Sequence, residues 1–354
     1  MCHGTSYPGT PASEILSSVI RFKDQAAQPL HAQWAVNEKV AFEIAYAGSM
    51  VGLRTAVSMK QVGLNVASDP LMSAAYMGTR GGFIVVSADD PGPHSSQTEQ
   101  DSRLMAMLAK IPVLDPSSPR EARDMVALAY EISETFEIPV MLRPTTRVYH
   151  ARQDIRLNSP VAANSEVVFE KNPARWAATP KFRFHLHQEL EAKLKRLGVV
   201  EKTAPVQLNP GVTGCRVVVV SGVVAAHARE VFQDIGIWDR IPLFQVLQPF
   251  PLHTDFIQYL RGSCESLLVI EETTGVIEVQ IADHHRVHGK TSGAVPSVGE
   301  LSPETVERVI CRYMDLPEPQ AVPEAAPGRR PTLCAGCPHR ASFFAIKKAV
   351  PRGI

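Results

Sequence analysis

Two short stretches near the start of the chain combine backbone donors, a hydroxyl group and a single carboxylate. Residues 7–14 read Tyr-Pro-Gly-Thr-Pro-Ala-Ser-Glu, and Glu38 opens a helix-like run further along. Glycine and proline around Thr10 permit a sharp turn that exposes helix-start N–H groups, which can bind phosphate or carboxylate. A carboxylate next to such a turn could move one proton on an anionic or heteroaromatic ligand. The pair therefore predicts a ligand site with proton-transfer chemistry.

Both stretches also have purely structural interpretations. Thr10 or Ser13 could cap an ordinary helix, and Glu38 could be a favourable acid in the first turn of the next one. Taken singly, neither stretch separates the structural from the functional interpretation.

A polar segment, residues 89–103, follows the clearest buried strand candidate, residues 83–87. It is therefore expected at a carboxyl end of the sheet, where open α/β folds bind ligands. Its polar side chains include His94, Ser95, Ser96, Gln97 and Gln100. Asp89 and Asp90 resemble a metal pair, but no further carboxylate stands at a useful spacing, which favours a turn.

The cysteines and histidines predict no metal site. Cys334 and Cys337 form one Cys-x-x-Cys pair, whereas zinc and iron–sulfur sites normally need four ligands. A thioredoxin-like redox turn would need a surrounding fold that the sequence does not indicate. His94, His284 and His285 have no spacing typical of metal ligands.

Composition excludes several classes of protein. The 354 residues are enough for two domains, and 36 basic residues balance 36 acidic ones, so nothing indicates nucleic-acid binding. No apolar run is long enough to span a membrane. Six scattered cysteines do not form a secreted disulfide framework, which favours a reducing cytoplasm.

Residues 1–155 alternate helical periodicity with short apolar runs at 54–59, 83–87 and 138–142. The first motif begins at residue 7, where an α/β domain would normally have used a strand and a helix already. Unbroken apolar strands alternating with helices indicate βαβ units and a doubly wound parallel sheet. Regularity lapses over residues 151–179, which predicts a long surface connection.

A second α/β domain is predicted over residues 180–315, with strands at 215–222, 241–247 and 266–270. Residues 317–327 hold four prolines in eleven residues, so 316–331 is predicted to be an extended linker. Residues 332–354 would begin a third element, cut off within an apolar helical pattern. This pattern indicates a fragment, from either a split subunit or an incomplete sequence, with the second interpretation favoured.

Five motifs occur together in one known family. They are residues 7–14, 36–41, 59–66, 95–103 and 142–147. In this order they resemble the α subunit of indolepyruvate:ferredoxin oxidoreductase, a thiamine-diphosphate-dependent 2-oxoacid:ferredoxin oxidoreductase. Residues 269–272 and 299–304 also fit, and 333–340 resemble the opening of the diphosphate-binding domain. The resemblance implies a pyrimidine-binding domain at 1–155 and a transketolase-C-terminal-like domain at 180–315.

The resemblance also implies roles for individual residues. Glu38 would hydrogen-bond the aminopyrimidine N1′ and favour the imino form that removes the thiazolium C2 proton. Thr10 would bind the substrate carboxylate or keto oxygen. The cofactor contacts would be Tyr7, Pro8, Gly9, Thr10, Glu38, Lys60, Gln61 and Val62. The substrate contacts would be Thr10, His94, Ser95, Ser96 and Gln97.

The implied reaction is oxidative decarboxylation of an aryl 2-oxoacid to acyl-coenzyme A with reduction of ferredoxin. The complete enzyme would contain 4Fe–4S clusters and a β subunit, giving a hetero-oligomer. Gln61 stands where the family usually has histidine. The Gly-Asp-Gly segment that holds Mg²⁺ and diphosphate does not occur in this sequence. A fragment without these parts would be inactive alone.

Two other functions are compatible with the same residues. The first is a non-catalytic remnant of the family that binds a ligand or a partner through the Thr10 turn. The second is a transketolase-like sugar enzyme, which shares the glutamate chemistry but should differ at residues 59–66 and 95–103. The oxidoreductase is the leading hypothesis, and the transketolase-like enzyme ranks well below it.

Overall fold

The structure, a computed structural model, describes residues 3–25, 29–156, 167–177, 179–319 and 335–351. It divides into one unit spanning Met1–Glu318 and a smaller unit spanning Pro319–Ile354. The larger unit contains two β-sheets. The described part of the smaller unit is mainly one helix, Pro338–Ala349. The linker predicted at 316–331 lies mostly outside the described residues.

The first sheet has six strands, all parallel, in the order β2-β1-β3-β4-β6-β5. The strands are β1 His3–Ser6, β2 His31–Trp34, β3 Thr55–Lys60, β4 Phe83–Ala88, β5 Val113–Leu114 and β6 Val140–Leu142. From β1 the chain moves to β2 on one side and then returns to β3 on the other. This reversal creates a crevice at the carboxyl ends of β1 and β3.

Among the described residues, six helices connect the strands of the first sheet, and a seventh follows the last strand. They are α1 Ser13–Phe22, α2 Glu38–Met50, α3 Gln61–Val66, α4 Ser68–Met77, α5 Ser102–Ala109, α6 Pro119–Phe136 and α7 Thr146–His150. Side-chain caps define several starts: the Asn37 side chain accepts from Val40 N–H before α2, and the Ser118 hydroxyl accepts from Glu121 N–H before α6. Such caps satisfy N–H groups that a helix leaves unpaired at its start.

Two further helices, α8 Pro173–Trp176 and α9 Pro180–Leu197, lead to the second sheet. Its strands are β7 Val206–Gln207, β8 Arg216–Ser221, β9 Leu243–Val246, β10 Ser266–Ile270 and β11 Val287–His288. Its helices are α10 Val223–Asp234, α11 Thr254–Ser263, α12 Val276–Ile281 and α13 Pro303–Tyr313. The order is β11-β10-β8-β9-β7, and only the edge strand β7 is antiparallel to its neighbour.

Burial shows that both sheets are covered on both faces. Every residue of β4 is buried. Along β8, Val218 and Val220 join one apolar cluster, while Val217 and Val219 join another on the opposite face. Because successive strand residues point to opposite faces, two cores must flank this sheet.

The architecture confirms the predicted α/β class with two doubly wound, essentially parallel sheets. Two features of the structure were not predicted from the sequence. A strand, β1, does precede residue 7, and it lies inside the sheet rather than at its edge. The described part of the segment 151–179 also contains the short helix α8, whose Arg175 donates to the carbonyls of Met77 and Thr79.

A cluster of buried charges joins the carboxyl edges of the two sheets. Arg103, from the start of α5, contacts Asp101 at 2.7 Å and Glu271, which follows β10, at 2.9 Å. Arg143, which follows β6, contacts Asp89 at 2.7 Å and Asp115 at 3.4 Å. All of these side chains are almost fully buried. The two arginines therefore connect strand ends of both sheets.

Burial is the largest influence on the pKa values of the acids in this cluster, and the arginines oppose it. Burial alone would raise the pKa of Asp101, but the guanidiniums of Arg103 and Arg143 outweigh burial and lower it to about 2. Burial raises the pKa of Glu272 to about 7, although Arg143 opposes the rise. Neither Glu272 oxygen makes a hydrogen bond of normal geometry with the described residues; the Leu301 N–H only slightly favours its ionised form.

We predict that Arg103→Met destabilises the protein by about 3–5 kcal/mol, because it leaves buried carboxylates without their partner. The measurement is urea unfolding at pH 7 followed by circular dichroism. Lys202→Met is the control, since Lys202 pairs with Glu131 on the surface and such pairs contribute about 0–1 kcal/mol. Equal losses for the two variants would contradict a central role for the buried cluster.

Glu272 should make stability fall as pH rises. Its folded-state pKa, about 7, lies above the ordinary value of 4.5, so the folded protein binds the proton more tightly than the unfolded chain. The carboxyl group therefore disfavours folding increasingly from pH 4.5 to pH 7. We predict that Glu272→Gln flattens this fall and stabilises the protein above pH 7 by roughly 2–4 kcal/mol. An unchanged pH profile in urea unfolding would show that this carboxyl group titrates normally.

Candidate active site

The predicted site residues lie at the carboxyl edge of the first sheet, around the crevice between β1 and β3. The turn of residues 7–10 follows β1, while Lys60 ends β3 and Gln61 begins α3. Glu38 begins α2, which follows β2. Parallel sheets bind ligands at such reversals of strand order. The topology thus brings together stretches that are far apart in the sequence.

The turn after β1 uses several of its own backbone donors. The Gly9 N–H donates to the Ser13 hydroxyl at 2.8 Å, and the N–H groups of Ala12 and Ser13 donate to the Gly9 carbonyl. Helix α1 begins at Ser13 without a side-chain cap, so neither Thr10 nor Ser13 caps it. The turn therefore offers an exposed Thr10 side chain to the crevice rather than a row of free N–H groups.

The Glu38 carboxylate is not needed to cap helix α2. Asn37 already caps α2, and the Glu38 carboxylate has no hydrogen-bond or ion-pair partner among residues 3–25, 29–156, 167–177, 179–319 and 335–351. The side chain lies over Gly63 in α3, where a Cβ atom would come within 2.8 Å of the Glu38 carboxyl carbon. Glycine at position 63 therefore makes room for this carboxylate.

Hydrogen bonds connect the end of β3 to the predicted substrate segment. Lys60 Nζ donates to the Ser95 carbonyl at 2.6 Å, and the Ser95 hydroxyl donates to the Thr10 carbonyl at 3.4 Å. Gln61 Nε2 donates to the Ser96 hydroxyl at 2.9 Å. Five of the predicted site residues are thus brought into one network across the crevice.

Asp90 fixes the conformation of the segment that carries Ser95 and Ser96. Its carboxylate accepts hydrogen bonds from the Ser95 N–H at 2.9 Å, the Ser96 hydroxyl at 2.7 Å and the Thr146 hydroxyl at 2.8 Å. Burial would raise the pKa of Asp90, but these hydrogen bonds outweigh burial and lower it. Asp90 is therefore ionised, and its hydrogen bonds hold the loop in one conformation, which agrees with the predicted turn.

Glu300, from the segment between β11 and α13, holds the outer side of the same loop. Its carboxylate binds the Arg147 guanidinium, with one contact at 2.7 Å, and lies 3.3 Å from His94 Nε2. Arg147 lowers the pKa of Glu300 against the effect of burial. Residues 299–304 resemble a family motif, but the sequence alone gives Glu300 no role, because its partners are distant in the sequence.

Other predicted residues lie at the rim. Tyr7, Pro8 and Gln97 are exposed, and Val62 is half-buried at the start of α3. Gln97 makes no side-chain hydrogen bond within the part of the chain that the structure describes. His284 and His285 are exposed and distant from these residues in the sequence.

The described residues show neither a metal-binding cluster nor a membrane-spanning helix. They contain no group of three or more histidine, cysteine, aspartate or glutamate side chains that could hold a metal ion. Within the same residues, no helix combines the length and apolar character needed to cross a membrane. Of the Cys-x-x-Cys pair, Cys334 lies outside the described residues, and Cys337 contacts His339.

Comparison with protein families identifies the class to which this fold and site belong. Residues 4–218 match the family described as pyruvate flavodoxin/ferredoxin oxidoreductase, thiamine diphosphate-binding. The match covers more than half of the chain, and the chain belongs to this family.

Individual relatives are similar to this chain over almost its whole length. The chain is 37% identical to the indolepyruvate oxidoreductase subunit IorA of Pyrococcus horikoshii, over 99% of this chain and 57% of that protein. It is 35% identical to the protein of the same name from Methanothermobacter marburgensis, over 98% of this chain and 57% of the relative. The chain therefore spans somewhat more than half the length of these relatives.

Solved structures share the fold. A 2-oxoglutarate:ferredoxin oxidoreductase from Magnetococcus marinus aligns with a TM-score of 0.67 at 14% identity, over 89% of this chain and 62% of that chain. A split-gene transketolase aligns with a TM-score of 0.54 at 15% identity, over 88% and 92% of the two chains. At these identities the likeness concerns the fold alone.

We predict that Asp90→Asn loosens residues 91–98, because an amide cannot accept at both of its heavy atoms and the buried donors lose a partner. The expected result is amide hydrogen exchange at least tenfold faster in this segment, measured by mass spectrometry. Asp69→Asn is the control, since Asp69 is exposed and pairs only with Lys39. Unchanged protection in Asp90→Asn would show that other contacts hold the loop.

Proposed function

We propose that this chain supplies the aminopyrimidine and substrate side of the thiamine site in an indolepyruvate (arylpyruvate):ferredoxin oxidoreductase. The enzyme would convert an aryl 2-oxoacid to acyl-coenzyme A and reduce ferredoxin. The observation that carries the proposal is the Glu38 carboxylate: it projects over Gly63, and among the described residues it has no partner. The family match and the relatives' names support the same reaction class.

The residues of the crevice fit the pyrimidine end of thiamine diphosphate. Gly63 leaves space for Glu38, which only a residue without a Cβ can do at this distance. The buried Gln61 Oε1 has no hydrogen-bond partner among the described residues, so it can accept from an amino group. A carboxylate and a free acceptor match the ring nitrogen and amino group of an aminopyrimidine.

In this proposal Glu38 shares a proton with N1′ of the aminopyrimidine. When bound, the cofactor would supply a nucleophilic carbon for the keto carbon of the substrate and an acceptor for the electrons released with carbon dioxide. Glu38 would set the protonation of the ring at N1′, so that the amino group on the ring can take up a proton. The turn of residues 7–10 and Val62 would border the ring and exclude water from it.

The substrate would lie between the turn after β1 and the loop held by Asp90. Thr10 and Ser95 carry hydroxyl groups suitable for a carboxylate or keto oxygen. Ser96 would position Gln61 through their hydrogen bond. His94 and Gln97 stand at the outer rim, where they would meet the aryl part of the substrate.

We assign the remaining functions of the complete enzyme to parts of the protein outside this crevice or to partner proteins. These comprise Mg²⁺ and diphosphate binding, 4Fe–4S clusters, coenzyme A, a β subunit and ferredoxin, in a cytoplasmic hetero-oligomer. The scattered cysteines support a reducing compartment.

The test joins this chain to the remaining C-terminal part of the Pyrococcus horikoshii relative and adds the β subunit of that enzyme. We predict indolepyruvate-dependent reduction of a viologen dye, and a loss of at least 100-fold in kcat for Glu38→Gln. Gly63→Ala should cause a similar loss, because the added methyl group displaces the Glu38 carboxylate. Thermal unfolding should change little, since alanine favours a helix over glycine by about 1 kcal/mol.

Glu43→Gln is the matched control, because Glu43 lies in the same helix, is exposed and makes only a 4.0 Å contact with Lys39. It should retain full activity. If the joined protein is inactive and Glu38→Gln does not alter thiamine diphosphate binding by calorimetry, the chain is a non-catalytic member of the family.

A further inference from the structure

Lys60 is a buried cation at the centre of the crevice. Only 9% of the residue is exposed, and its stem passes under Gly9, where an added Cβ atom would lie 3.0 Å from the Lys60 Cβ. Its ammonium group donates to the Ser95 carbonyl at 2.6 Å and lies 3.4 Å from the Ser95 hydroxyl. The charge is therefore held between the turn after β1 and the loop opposite.

The charge of Lys60 is not balanced by an ion pair within the described residues. The acid whose charge acts on Lys60 is Asp90, and the Asp90 oxygens already accept from Ser95, Ser96 and Thr146. Burial lowers the pKa of Lys60, and Asp90 only partly opposes this effect. A buried charge without a partner is costly, so an anion that enters the crevice would relieve this cost.

The surroundings of Lys60 suit a small anion with an attached polar group. The Thr10 side chain is exposed on the turn, and Ser95 carries a hydroxyl group beside the ammonium. On the next residue, Gln61 Oε1 is buried and has no hydrogen-bond partner among the described residues. Two hydroxyl groups that can donate to an anion thus accompany the cation, whereas Gln61 Oε1 stays available for an amino group.

We infer that Lys60 binds the carboxylate of the 2-oxoacid substrate. The identity of that substrate rests on the proposed function, whereas the anion site rests on Lys60 itself. The Lys60 ammonium group lies between the turn after β1 and the loop held by Asp90, which is where the proposed function places the substrate. Lys60 is accordingly a substrate residue rather than the cofactor contact that the sequence resemblance implies.

The direct test is competitive acetylation of the purified chain with acetic anhydride, followed by mass spectrometry of the Lys60 peptide. We expect millimolar 3-phenylpropionate, a carboxylate with an aryl group, to slow Lys60 acetylation at least fivefold. The neutral 3-phenylpropionamide and inorganic pyrophosphate should leave it unchanged. Lys193, whose pKa is also lowered by burial, is the internal control and should react equally in all samples.

Protection by pyrophosphate would assign Lys60 to a phosphate ligand and overturn the inference. Equal protection by the amide, or no protection by the carboxylate, would overturn it as well. The footprint needs neither thiamine diphosphate nor turnover. A negative result here therefore leaves the Glu38 test of the proposed function intact, and the reverse also holds.

Variants of Lys60 in the joined enzyme give a second readout. Lys60→Met should raise KM for indolepyruvate about 10- to 100-fold, the usual effect of losing a charged hydrogen bond, with thiamine diphosphate affinity unchanged within threefold. Lys60→Arg should recover part of the loss because it keeps the charge. A loss of cofactor affinity in Lys60→Met with KM unchanged would return Lys60 to the cofactor site.

Discussion

Two guanidinium groups buried between the carboxyl edges of two sheets are the constraint on which this structure depends. Arg103 pairs with Asp101, which lies beside the first sheet, and with Glu271, which follows a strand of the second sheet. Arg143 pairs with Asp89 and Asp115, which both follow strands of the first sheet. Buried ion pairs add little net stability, but removing one partner is costly because the other charge stays buried. The cluster therefore specifies how the two sheets meet more than it strengthens their contact.

This arrangement also determines the site. The loop that faces the turn after β1 begins at Asp89 and ends at Asp101, and both residues belong to the charged cluster. Between these ends, Asp90 holds the loop to the first sheet, and Glu300 holds it from the second through His94. Ser95 therefore contacts Lys60 and Thr10 only while the two sheets keep their relative positions. The crevice is built by the first sheet, but its shape depends on both.

The secondary-structure elements that depend on a local sequence pattern could be predicted from the sequence. The strand of residues 83–87 and the helix from Asn37 are found within one or two residues of their predicted limits, since apolar runs and caps are local signals. Ordered motifs also brought Thr10, Lys60 and Ser95 into one predicted site. The ion pair between Arg103 and Glu271 and the role of Glu300 could not be predicted, because in both cases the partner lies more than a hundred residues away. A usable signal existed: Asp89, Asp115, Arg143 and Glu271 all directly follow buried strands.

We propose that Glu38, whose carboxylate has no partner among the described residues, controls a proton at the aminopyrimidine ring. The most direct measurement is hydrogen–deuterium exchange at C2 of thiamine diphosphate bound to the joined protein, followed by quenched-flow nuclear magnetic resonance. We predict that the C2 proton exchanges at least 100-fold faster in cofactor bound to the unmodified chain than in free cofactor. Glu38→Gln should show no acceleration of this exchange. Equally fast exchange in Glu38→Gln, with the cofactor fully bound, would contradict the proposed role of Glu38.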